Sequence, residues 1–377
     1  MPPSVFGIYT ELALKHNAVN LGQGFPDFAP PTFVMDAYKR AANGDQQYTL
    51  PAGTPELREQ LATEYAPRFG NLDPMDNVQV VAGATEALFV AFQALVHPDD
   101  EVVMFEPFYD SYYAGTIIAG GTPKPVPLVQ HGTSWRIDQE GLRAAFSNNT
   151  KAIIVNTPHN PTGAVFTKEE LELIVQLATK HDAIIISDEV YEHIAWEPHI
   201  SIATLPGAWE RTLTISSVGK TFSATAWKIG WLVGPADLIE ATRSIHQWIT
   251  FCLPTPLQNA VAEVLKETRT NGYLEQLHAE YTQRRTTIVD GLTAAGFTPL
   301  TPMGSYFVLA DISSAGYAND VEFCQALPER VGVVGIPPSA FYSDEHKHLA
   351  KHLARFSFSK TNELLLEAAD RLAKLAK

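Results

Sequence analysis

Two lysines, Lys220 and Lys228, lie in a segment whose other residues are typical of a protein interior. The segment reads SSVGKTFSATAWKIGW and covers residues 216–231. Burial of an ammonium group costs free energy unless an anion pairs with it or the amine gives up its charge. Lysines usually extend to the surface on flexible stems, so these two gain a chemical interpretation only from the rest of the chain.

One apolar run is followed by a stretch that suits an anion. After NVQVV (77–81) come Gly83, Ala84 and Thr85, small residues that lead directly into a helical stretch. The free backbone N–H groups at such a helix start can bind a phosphate. The alternative is an ordinary tight turn in which Thr85 is a helix cap.

Four further apolar runs end in an aromatic residue, an amide, a carboxylate and the lysines. These residues are Tyr109 after EVVMF (101–105), Asn160 after KAIIVN (151–156), Asp188 and Tyr191 after AIIIS (183–187), and Ser217, Lys220 and Lys228 after TLTIS (212–216). Taken singly, Tyr109 is explained by core packing, Asn160 by a turn and Asp188 by a helix cap.

Combined, these residues are the groups that pyridoxal phosphate needs from a protein. A helix start binds the phosphate, an aromatic face covers the ring, and a carboxylate keeps the pyridine nitrogen protonated. Donors bind the ring oxygen, and a lysine forms a Schiff base with the aldehyde. Open parallel sheets bind ligands at the carboxyl ends of their strands, so we expect the cofactor there.

The same apolar runs predict the elements that position these residues. They are short, apolar on both faces and separated by helical stretches, which is typical of α/β proteins with a mostly parallel central sheet covered by helices. Thr167 and Glu170 open one of the helical stretches in the pattern of a capping box. We therefore expect a large cofactor-binding domain over residues 40–270.

The pattern changes in the last third of the chain. A long polar helix (273–295) is followed by separate apolar runs. In ARFSFS (354–359) phenylalanines alternate with serines, which predicts a half-exposed antiparallel strand. We expect a smaller α+β domain over residues 271–377, to which an N-terminal arm (1–39) contributes.

The motifs together resemble the fold-type I aminotransferases of class I/II, in the branch with the kynurenine, glutamine–phenylpyruvate and methionine aminotransferases. The resemblance covers nearly the whole chain. Its marks are NLGQGFPDF (20–28), QYTLPAG (47–53), NTPHNPTG (156–163), SDEVYEHI (187–194), SSVGKTFSATAWKIGW (216–231) and ARFSF (354–358). It implies the pyridoxal-phosphate-dependent transferase fold. It also implies ping-pong transfer of an amino group from an aromatic, methionine or glutamine-like L-amino acid to a 2-oxo acid.

The resemblance implies a role for each candidate in the cofactor site. Lys220 is implied as the catalytic residue that bonds to the aldehyde and shuttles protons, and Asp188 as the partner of the pyridine nitrogen. Tyr109 stacks on the ring, and Tyr191 and Asn160 bind its hydroxyl oxygen. The phosphate is held by Ser217, Lys228 and the backbone around Gly83, Ala84 and Thr85. Both lysines are then expected to be buried, Lys220 as an imine and Lys228 against the phosphate.

The resemblance also implies how substrate binds and how the chain assembles. Arg355 matches an arginine that clamps the substrate α-carboxylate in a planar fork, which lysine could not copy. Gly24 and Asn160 are implied as further substrate contacts. Tyr48 matches a residue that reaches the phosphate in the partner subunit, so a homodimer is implied.

Two positions depart from kynurenine-type enzymes of this branch. Cys252 stands where some carry a histidine from the neighbouring subunit, and Phe6 stands where they carry a tryptophan. The rim of the pocket therefore differs, and kynurenine itself is not implied as the donor. Phe6, Phe25, Phe251 and Phe341 predict an apolar substrate pocket, with core packing as the alternative for each.

Composition and charge limit the partners and the location. Asp and Glu number 42 against 27 Lys and Arg, a net charge of −15 that argues against nucleic acid or a membrane surface as partner. The N-terminal stretch lacks the pattern of a signal peptide, and no apolar run reaches the ~18 residues of a membrane helix. Cys252 and Cys324 are too few for a disulfide framework, so we expect a cytoplasmic protein.

Two other functions stay open at this stage. The same cofactor scaffold serves β-lyases that cleave cysteine S-conjugates, and an aminotransferase-like domain can bind the effector of a regulator. The net charge of −15 counts against the second. The histidines His346, His348 and His352 in HKHLAKH resemble metal ligands. His348 and His352 lie four residues apart on a possible helix, but no third ligand completes the set, so we expect no metal site.

Overall fold

A computed structural model describes residues 5–376 of the chain. The helices are α1 (Val5–His16), α2 (Thr32–Ala41), α3 (Pro55–Phe69), α4 (Gly83–Leu95), α5 (Asp110–Ile118), α6 (Gln139–Ala145), α7 (Lys168–Lys180), α8 (Val218–Thr221), α9 (Ala236–His246), α10 (Thr255–Thr268), α11 (Tyr273–Ala294), α12 (Asp320–Val331) and α13 (Asn362–Leu372). The strands are β1 (Val19–Asn20), β2 (Val78–Val81), β3 (Glu101–Glu106), β4 (Thr122–His131), β5 (Ser134–Ile137), β6 (Thr150–Asn156), β7 (Ile184–Asp188), β8 (Thr212–Ser217), β9 (Gly230–Val233), β10 (Thr298–Leu300), β11 (Phe307–Asp311), β12 (Val333–Val334) and β13 (Leu353–Ser357).

The centre of the fold is an eight-stranded sheet with the order β2-β9-β8-β7-β6-β3-β4-β5. Strands β8, β7, β6, β3 and β4 run parallel, whereas β9 and β5 run antiparallel to their neighbours. The inner strands β6 and β8 are buried on both faces, with Lys151 as the one position of intermediate exposure. The prediction of an α/β fold with a mostly parallel sheet is therefore confirmed.

The predicted local signals also appear. The Thr167 side chain accepts from the Glu170 N–H and the Glu170 carboxylate accepts from the Thr167 N–H, so the capping box opens α7. Strands β4 and β5 were not predicted, because three prolines in TPKPVPLVQH hide the strand pattern. The lost N–H donors are tolerated where β4 lies near the margin of the sheet, next to the edge strand β5.

A second unit follows α10. Strands β10, β11 and β13 form an antiparallel sheet, and α11 and α13 pack against each other beside it. Strand β1 from the N-terminal segment pairs in parallel with β12, so the start of the chain joins this unit. The domain limits at residues 40 and 270 stay predictions.

The expectation of a half-exposed strand at 354–359 is wrong. Phe356, Ser357, Phe358 and Ser359 are all fully buried. The serine face is covered by the N-terminal segment, where the Ser357 N–H donates to the carbonyl of Leu21 at 2.6 Å. The small serine side chains let the backbone of that segment approach closely. The alternation of phenylalanine and serine in this strand therefore reflects contact with a backbone and not exposure to solvent.

Among residues 5–376 no helix combines the length and the apolar character that a membrane crossing requires.

Candidate active site

A cavity of ≈ 310 Å³ opens at the carboxyl ends of the central strands. Its position is the one that open parallel sheets use for ligands. Most of the site residues predicted from the sequence line this cavity, whereas Tyr48, Phe251 and Phe341 do not. The lining residues are Phe6, Gly24, Phe25, Gly83, Ala84, Thr85, Tyr109, Asn160, Asp188, Tyr191, Ser217, Lys220, Lys228 and Arg355.

One side of the cavity is the N-terminus of α4. The cap residue of this helix is Ala82, which offers no side-chain acceptor to the first-turn N–H groups. Gly83 has a φ of 76° and its missing Cβ leaves room for the Lys228 amine, which would lie 3.0 Å from a β-carbon there. An uncapped helix start next to an amine is an anion site.

Lys228 departs from its predicted burial. The side chain lines the cavity, but the residue is exposed. Its backbone adopts the left-handed conformation, with a φ of 53°, two residues before β9 begins at Gly230. The amine is thus presented at the surface of the cavity. Lys220 is half-buried, so neither lysine is as fully buried as the sequence predicted.

Asp188 ends β7 at the floor of the cavity and is 4% exposed. Its Oδ2 accepts from the Tyr112 hydroxyl at 2.7 Å, and its Oδ1 accepts from the Val190 N–H at 3.3 Å. Burial raises the pKa of the carboxyl to about 6 despite these donors. A carboxylate that is so poorly solvated is stabilised by any cation that binds in front of it.

Two amides connect Asp188 to the rest of the site. The Asn156 side chain donates to the backbone carbonyl of Asp188 at 2.9 Å and accepts from the Asn160 N–H at 2.8 Å. Asn160 in turn accepts from Arg355 Nη1 at 3.2 Å through its side-chain oxygen. The turn after β6 therefore holds the Asp188 end of the cavity and the Arg355 end in a fixed relation.

Three tyrosines line the same floor. Tyr109 is the cap residue of α5, and its ring meets that of Tyr112 edge to face at 5.6 Å between centroids. Tyr191 follows β7 and is buried, which raises the pKa of its hydroxyl well above the ordinary value. Its ring meets that of Tyr306 edge to face at 5.0 Å.

Lys220 lies in the short helix α8, directly after Ser217 ends β8. Its Nζ donates to the Tyr306 hydroxyl at 2.8 Å and to the Gly24 carbonyl at 3.4 Å. Desolvation lowers the pKa of the amine. A larger fraction of the amine is therefore neutral, and so nucleophilic and basic, than in a surface lysine.

Arg355 lies in β13 and is fully buried. The hydrogen bonds of its guanidinium go to neutral acceptors, Asn160 Oδ1 and the Gly22 carbonyl, while its Nε has no hydrogen-bond partner among the described residues. Burial lowers its pKa to about 10. A buried guanidinium at a cavity wall is a binding site for a carboxylate.

Aromatic rings surround this guanidinium. Its Cζ lies 4.3 Å from the Phe307 ring centroid, 5.0 Å from that of Phe341 and 5.2 Å from that of Phe6. Contacts with the ring faces compensate part of the cost of burying the charge. Phe6, Phe25 and Phe307 also line the cavity, whereas Phe251 lies on the surface and is 49% exposed.

Tyr48 is outside this cavity. It is 85% exposed, and its ring meets that of Phe251 edge to face at 5.7 Å. Trp248 is nearby in sequence to Phe251 and is 83% exposed. Large apolar side chains that are exposed together are typical of a surface that another protein covers.

The groups at the cavity fit pyridoxal phosphate. The uncapped start of α4, Lys228 and Ser217 suit a phosphate dianion, and Asp188 suits a protonated ring nitrogen. The close approach of β9 to the phosphate side supports the fit, since a β-carbon at Gly230 would lie 2.6 Å from the Gly83 carbonyl carbon. Lys220 supplies an amine of lowered pKa between these two ends.

The sequence reasoning missed four residues of the site. Tyr112, Asn156, Tyr306 and Phe307 contact Asp188, Asn160, Lys220 and Arg355 respectively. Asn156 was the easiest to find, because it is a polar residue at the buried end of an apolar strand. Tyr306 and Phe307 come from the second unit, where no strand-end argument applies.

Comparison with known proteins places the chain among enzymes of one kind. The family model described as aminotransferase class I and II matches residues 16–372. The kynurenine–oxoglutarate transaminase of Dictyostelium discoideum is 42% identical over 411 residues, with 100% of this chain and 94% of that protein covered.

Two solved structures are similar over nearly the whole chain. The N-succinyldiaminopimelate aminotransferase of Mycobacterium tuberculosis superposes with a TM-score of 0.95 at 41% identity and covers 99% of this chain and 97% of its own. YbdL from Escherichia coli, for which a methionine aminotransferase function was identified, has a TM-score of 0.94 at 37% identity and the same coverage. The three relatives are named for three different amino donors.

Proposed function

Since the chain belongs to the class I and II aminotransferases and transfers amino groups to a 2-oxo acid with pyridoxal phosphate, we propose that its donor is an L-amino acid with an aromatic, methionine or glutamine-like side chain. The shared enzyme class does not favour the β-lyase alternative. The residues that line the cavity support this donor class.

Three basic residues line the cavity among the described residues, and each has an assigned partner. Lys228 suits the cofactor phosphate, Lys220 the reacting carbon and Arg355 the α-carboxylate of the substrate. The lining leaves no further cation for an acidic side chain. The rings of Phe6 and Phe307 lie against Arg355, and the ring of Phe25 also lines the cavity. An uncharged, mostly apolar donor side chain therefore fits best.

When bound, pyridoxal phosphate supplies an electron sink conjugated to the substrate bond that breaks. We assign Asp188 to hold the proton at the pyridine nitrogen, and Tyr109 to cover the ring face. Tyr191 and Asn160 orient the ring through its hydroxyl oxygen. Ser217, Lys228 and the N–H groups of Gly83, Ala84 and Thr85 bind the phosphate.

Lys220 Nζ is assigned to take the proton from the substrate Cα and to deliver it to the carbon that receives the amino group. Arg355 orients the substrate by two parallel hydrogen bonds to its carboxylate, together with Asn160 and the backbone at Gly24. Phe6 excludes water from the substrate side chain. The two substrates then use one site in turn, which gives ping-pong kinetics.

The test of this donor class is the half-reaction of the holoenzyme with single amino acids. Loss of the absorbance of the bound cofactor is followed in a stopped-flow instrument for phenylalanine, kynurenine, methionine, glutamine, aspartate and N-succinyldiaminopimelate. We expect the uncharged side chains to react with higher kcat/KM than the acidic ones. A preference for aspartate or N-succinyldiaminopimelate contradicts the proposal.

The Arg355→Lys variant should lose catalytic efficiency about equally for every donor. The planar fork becomes a point charge, so one of two charge-assisted hydrogen bonds is lost while the charge stays. Such a bond contributes ~1.5–3 kcal/mol, so we expect kcat/KM to fall by about 10- to 150-fold. The measurement is kcat/KM over the same donor panel.

A matched control is Phe6→Leu, which alters the rim and leaves Arg355 in place. This variant should change the ranking of the donors instead of lowering all of them together. If Arg355→Lys reduces kcat/KM only for acidic donors, Arg355 reads the side chain and its assignment to the α-carboxylate is wrong.

We also propose a homodimer in which Tyr48 binds the cofactor phosphate of the partner subunit. The exposed Tyr48 and Phe251, with Trp248 close to them in sequence, support this interface, since one subunit alone leaves these side chains in water. Two free thiols, Cys252 and the buried Cys324, support a cytoplasmic location.

Hybrid dimers test whether Tyr48 acts across the interface. Mixed Lys220→Ala and Tyr48→Ala subunits should form dimers with one complete site, because each chain supplies the residue that the other lacks. We expect the refolded mixture to be several times more active than the sum of the separate variants. Strict additivity, with hybrid dimers verified by native mass spectrometry, contradicts action in trans.

A further inference from the structure

The side chain of Tyr306 lies in the interior immediately before β11 and is fully buried. Its ring is packed on several sides: Tyr191 lies edge to face at 5.0 Å, Phe307 at 4.8 Å and Tyr281 stacked at 6.0 Å between centroids. A ring confined in this way cannot swing aside without displacing its neighbours. The position of its hydroxyl is therefore set by the core and not by solvent.

The hydroxyl of Tyr306 has one proton, and that proton is engaged. It donates to the backbone carbonyl of Gly24. Toward Lys220 the same oxygen is therefore an acceptor, with Nζ at 2.8 Å. Burial raises the pKa of the phenol well above its ordinary value, so the group keeps its proton and does not compete with Lys220 as a base.

The neutral amine of Lys220 meets two acceptors at this place. Besides the Tyr306 oxygen, the Gly24 carbonyl lies 3.4 Å from Nζ. A neutral amine has two N–H groups and one lone pair, so these acceptors engage both N–H groups. The lone pair, which a general base needs free, stays unengaged.

We propose that Tyr306 is a further catalytic residue, whose hydroxyl holds the amine of Lys220 whenever that amine is free and directs its lone pair to the substrate. The inference rests on the proposed role of Lys220 in proton transfer. Tyr306 touches the reacting nitrogen itself, so it acts on the base directly and not through another residue.

The same contacts join the base to the substrate carboxylate site. Gly24 accepts from Tyr306, and the neighbouring Gly22 carbonyl accepts from Arg355 Nη2 at 2.6 Å. The short segment 22–24 thus carries acceptors for the group that orients the base and for the group that orients the substrate. Loss of the Tyr306 hydroxyl leaves the Arg355 contact to Gly22 in place, which separates the two effects.

The test variant is Tyr306→Phe, which removes the hydroxyl and keeps the ring. Without the acceptor at 2.8 Å the ammonium form of Lys220 is less stable, so its amine should titrate about one pH unit lower or more. Trace acetylation of the cofactor-free protein with acetic anhydride across pH, with Lys220 quantified by mass spectrometry, measures this midpoint. In the holoenzyme we expect kcat to fall about 10- to 100-fold, KM to change little, and the isotope effect with α-deuterated donor to rise.

The matched control is Tyr281→Phe. Tyr281 is equally buried and stacks on Tyr306, but its hydroxyl pairs with Ser359 at 3.2 Å and not with Lys220. This variant should leave the acetylation midpoint and the isotope effect unchanged. Thermal unfolding of both variants reports any general loss of packing.

Two results would overturn the proposal. One is an unchanged acetylation midpoint in Tyr306→Phe with normal kcat. The other is a reduced kcat that follows a lower Tm while the midpoint stays unchanged, which assigns Tyr306 to packing alone. Borohydride reduction of the wild-type holoenzyme and peptide mapping test Lys220 independently, since fixation of the cofactor to another lysine refutes the assigned base and not the Tyr306 contact.

Discussion

The Lys220→Ala variant is expected to bind pyridoxal phosphate and to be inactive in transamination. Alanine removes the amine that is assigned to take and return the substrate proton, and positioned acid–base groups of this kind contribute about 10²- to 10⁴-fold or more. The groups at the start of α4 that are assigned to bind the phosphate remain in place, as does the Asp188 carboxylate. The variant is therefore expected to keep these contacts to the cofactor. The effect therefore falls on turnover and not on the fold.

Steady-state kcat and cofactor titration by fluorescence measure the two properties separately. Lys228→Ala is a matched control, because it removes the other amine of the same segment. We expect that variant to bind the cofactor more weakly and to recover most of its turnover at saturating cofactor. If Lys220→Ala keeps normal activity, Lys220 is not the base and the proposed mechanism fails.

The Asp188→Asn variant should reduce turnover by several orders of magnitude with the fold intact. Asparagine keeps the shape of the side chain, and its single oxygen can still accept from one of the two donors, the Tyr112 hydroxyl or the Val190 N–H. It has no charge to hold a proton at the pyridine nitrogen, so the electron sink is weakened. The measurement is kcat with a saturating donor, beside the far-UV circular dichroism and the Tm.

A second variant distinguishes the effect of the Asp188 charge from the effect of a hydrogen bond to it. Tyr112→Phe removes one donor to Asp188 and leaves the carboxylate, so its effect on kcat should be far smaller. A loss below about tenfold in Asp188→Asn would mean that the carboxylate serves the local turn through Val190 and not the cofactor. The pH profile adds a check, because burial places the pKa of Asp188 at about 6 before any cation binds in front of it.

The strand ends explain why so much of the site was predictable. Asp188, Ser217 and Gly83 each follow an apolar run, and parallel strands bring all such ends to one edge of the sheet. The type and order of the apolar runs are enough to predict that these residues lie together, and no side-chain contact has to be known. Short-range patterns such as the capping box at Thr167 succeeded for the same reason.

The remaining residues depend on contacts between distant parts of the chain. Tyr306 touches Lys220 only because the second unit packs over the carboxyl ends of the central strands. Phe307 covers Arg355 because β11 and β13, which are distant in the sequence, pair within the second unit. Likewise, Ser357 is buried by the backbone at Leu21 and not exposed as its alternation indicates. The hydrophobic pattern of a single segment does not report such contacts. A strand that is covered by a distant segment and a strand that is exposed to solvent can have the same pattern.

The antiparallel direction of β9 has a consequence for how this chain can vary. A chain that enters a neighbouring parallel strand must first return through a long crossover. Here β8 ends at the cavity edge and β9 starts from the same edge, with Ser217 paired to Gly230. The segment 218–229, which connects the two strands, therefore places both Lys220 and Lys228 at one cavity. We expect an insertion or deletion within this segment to displace both amines together. A variant that shortens this segment is therefore expected to lose the base and the phosphate contact in one step.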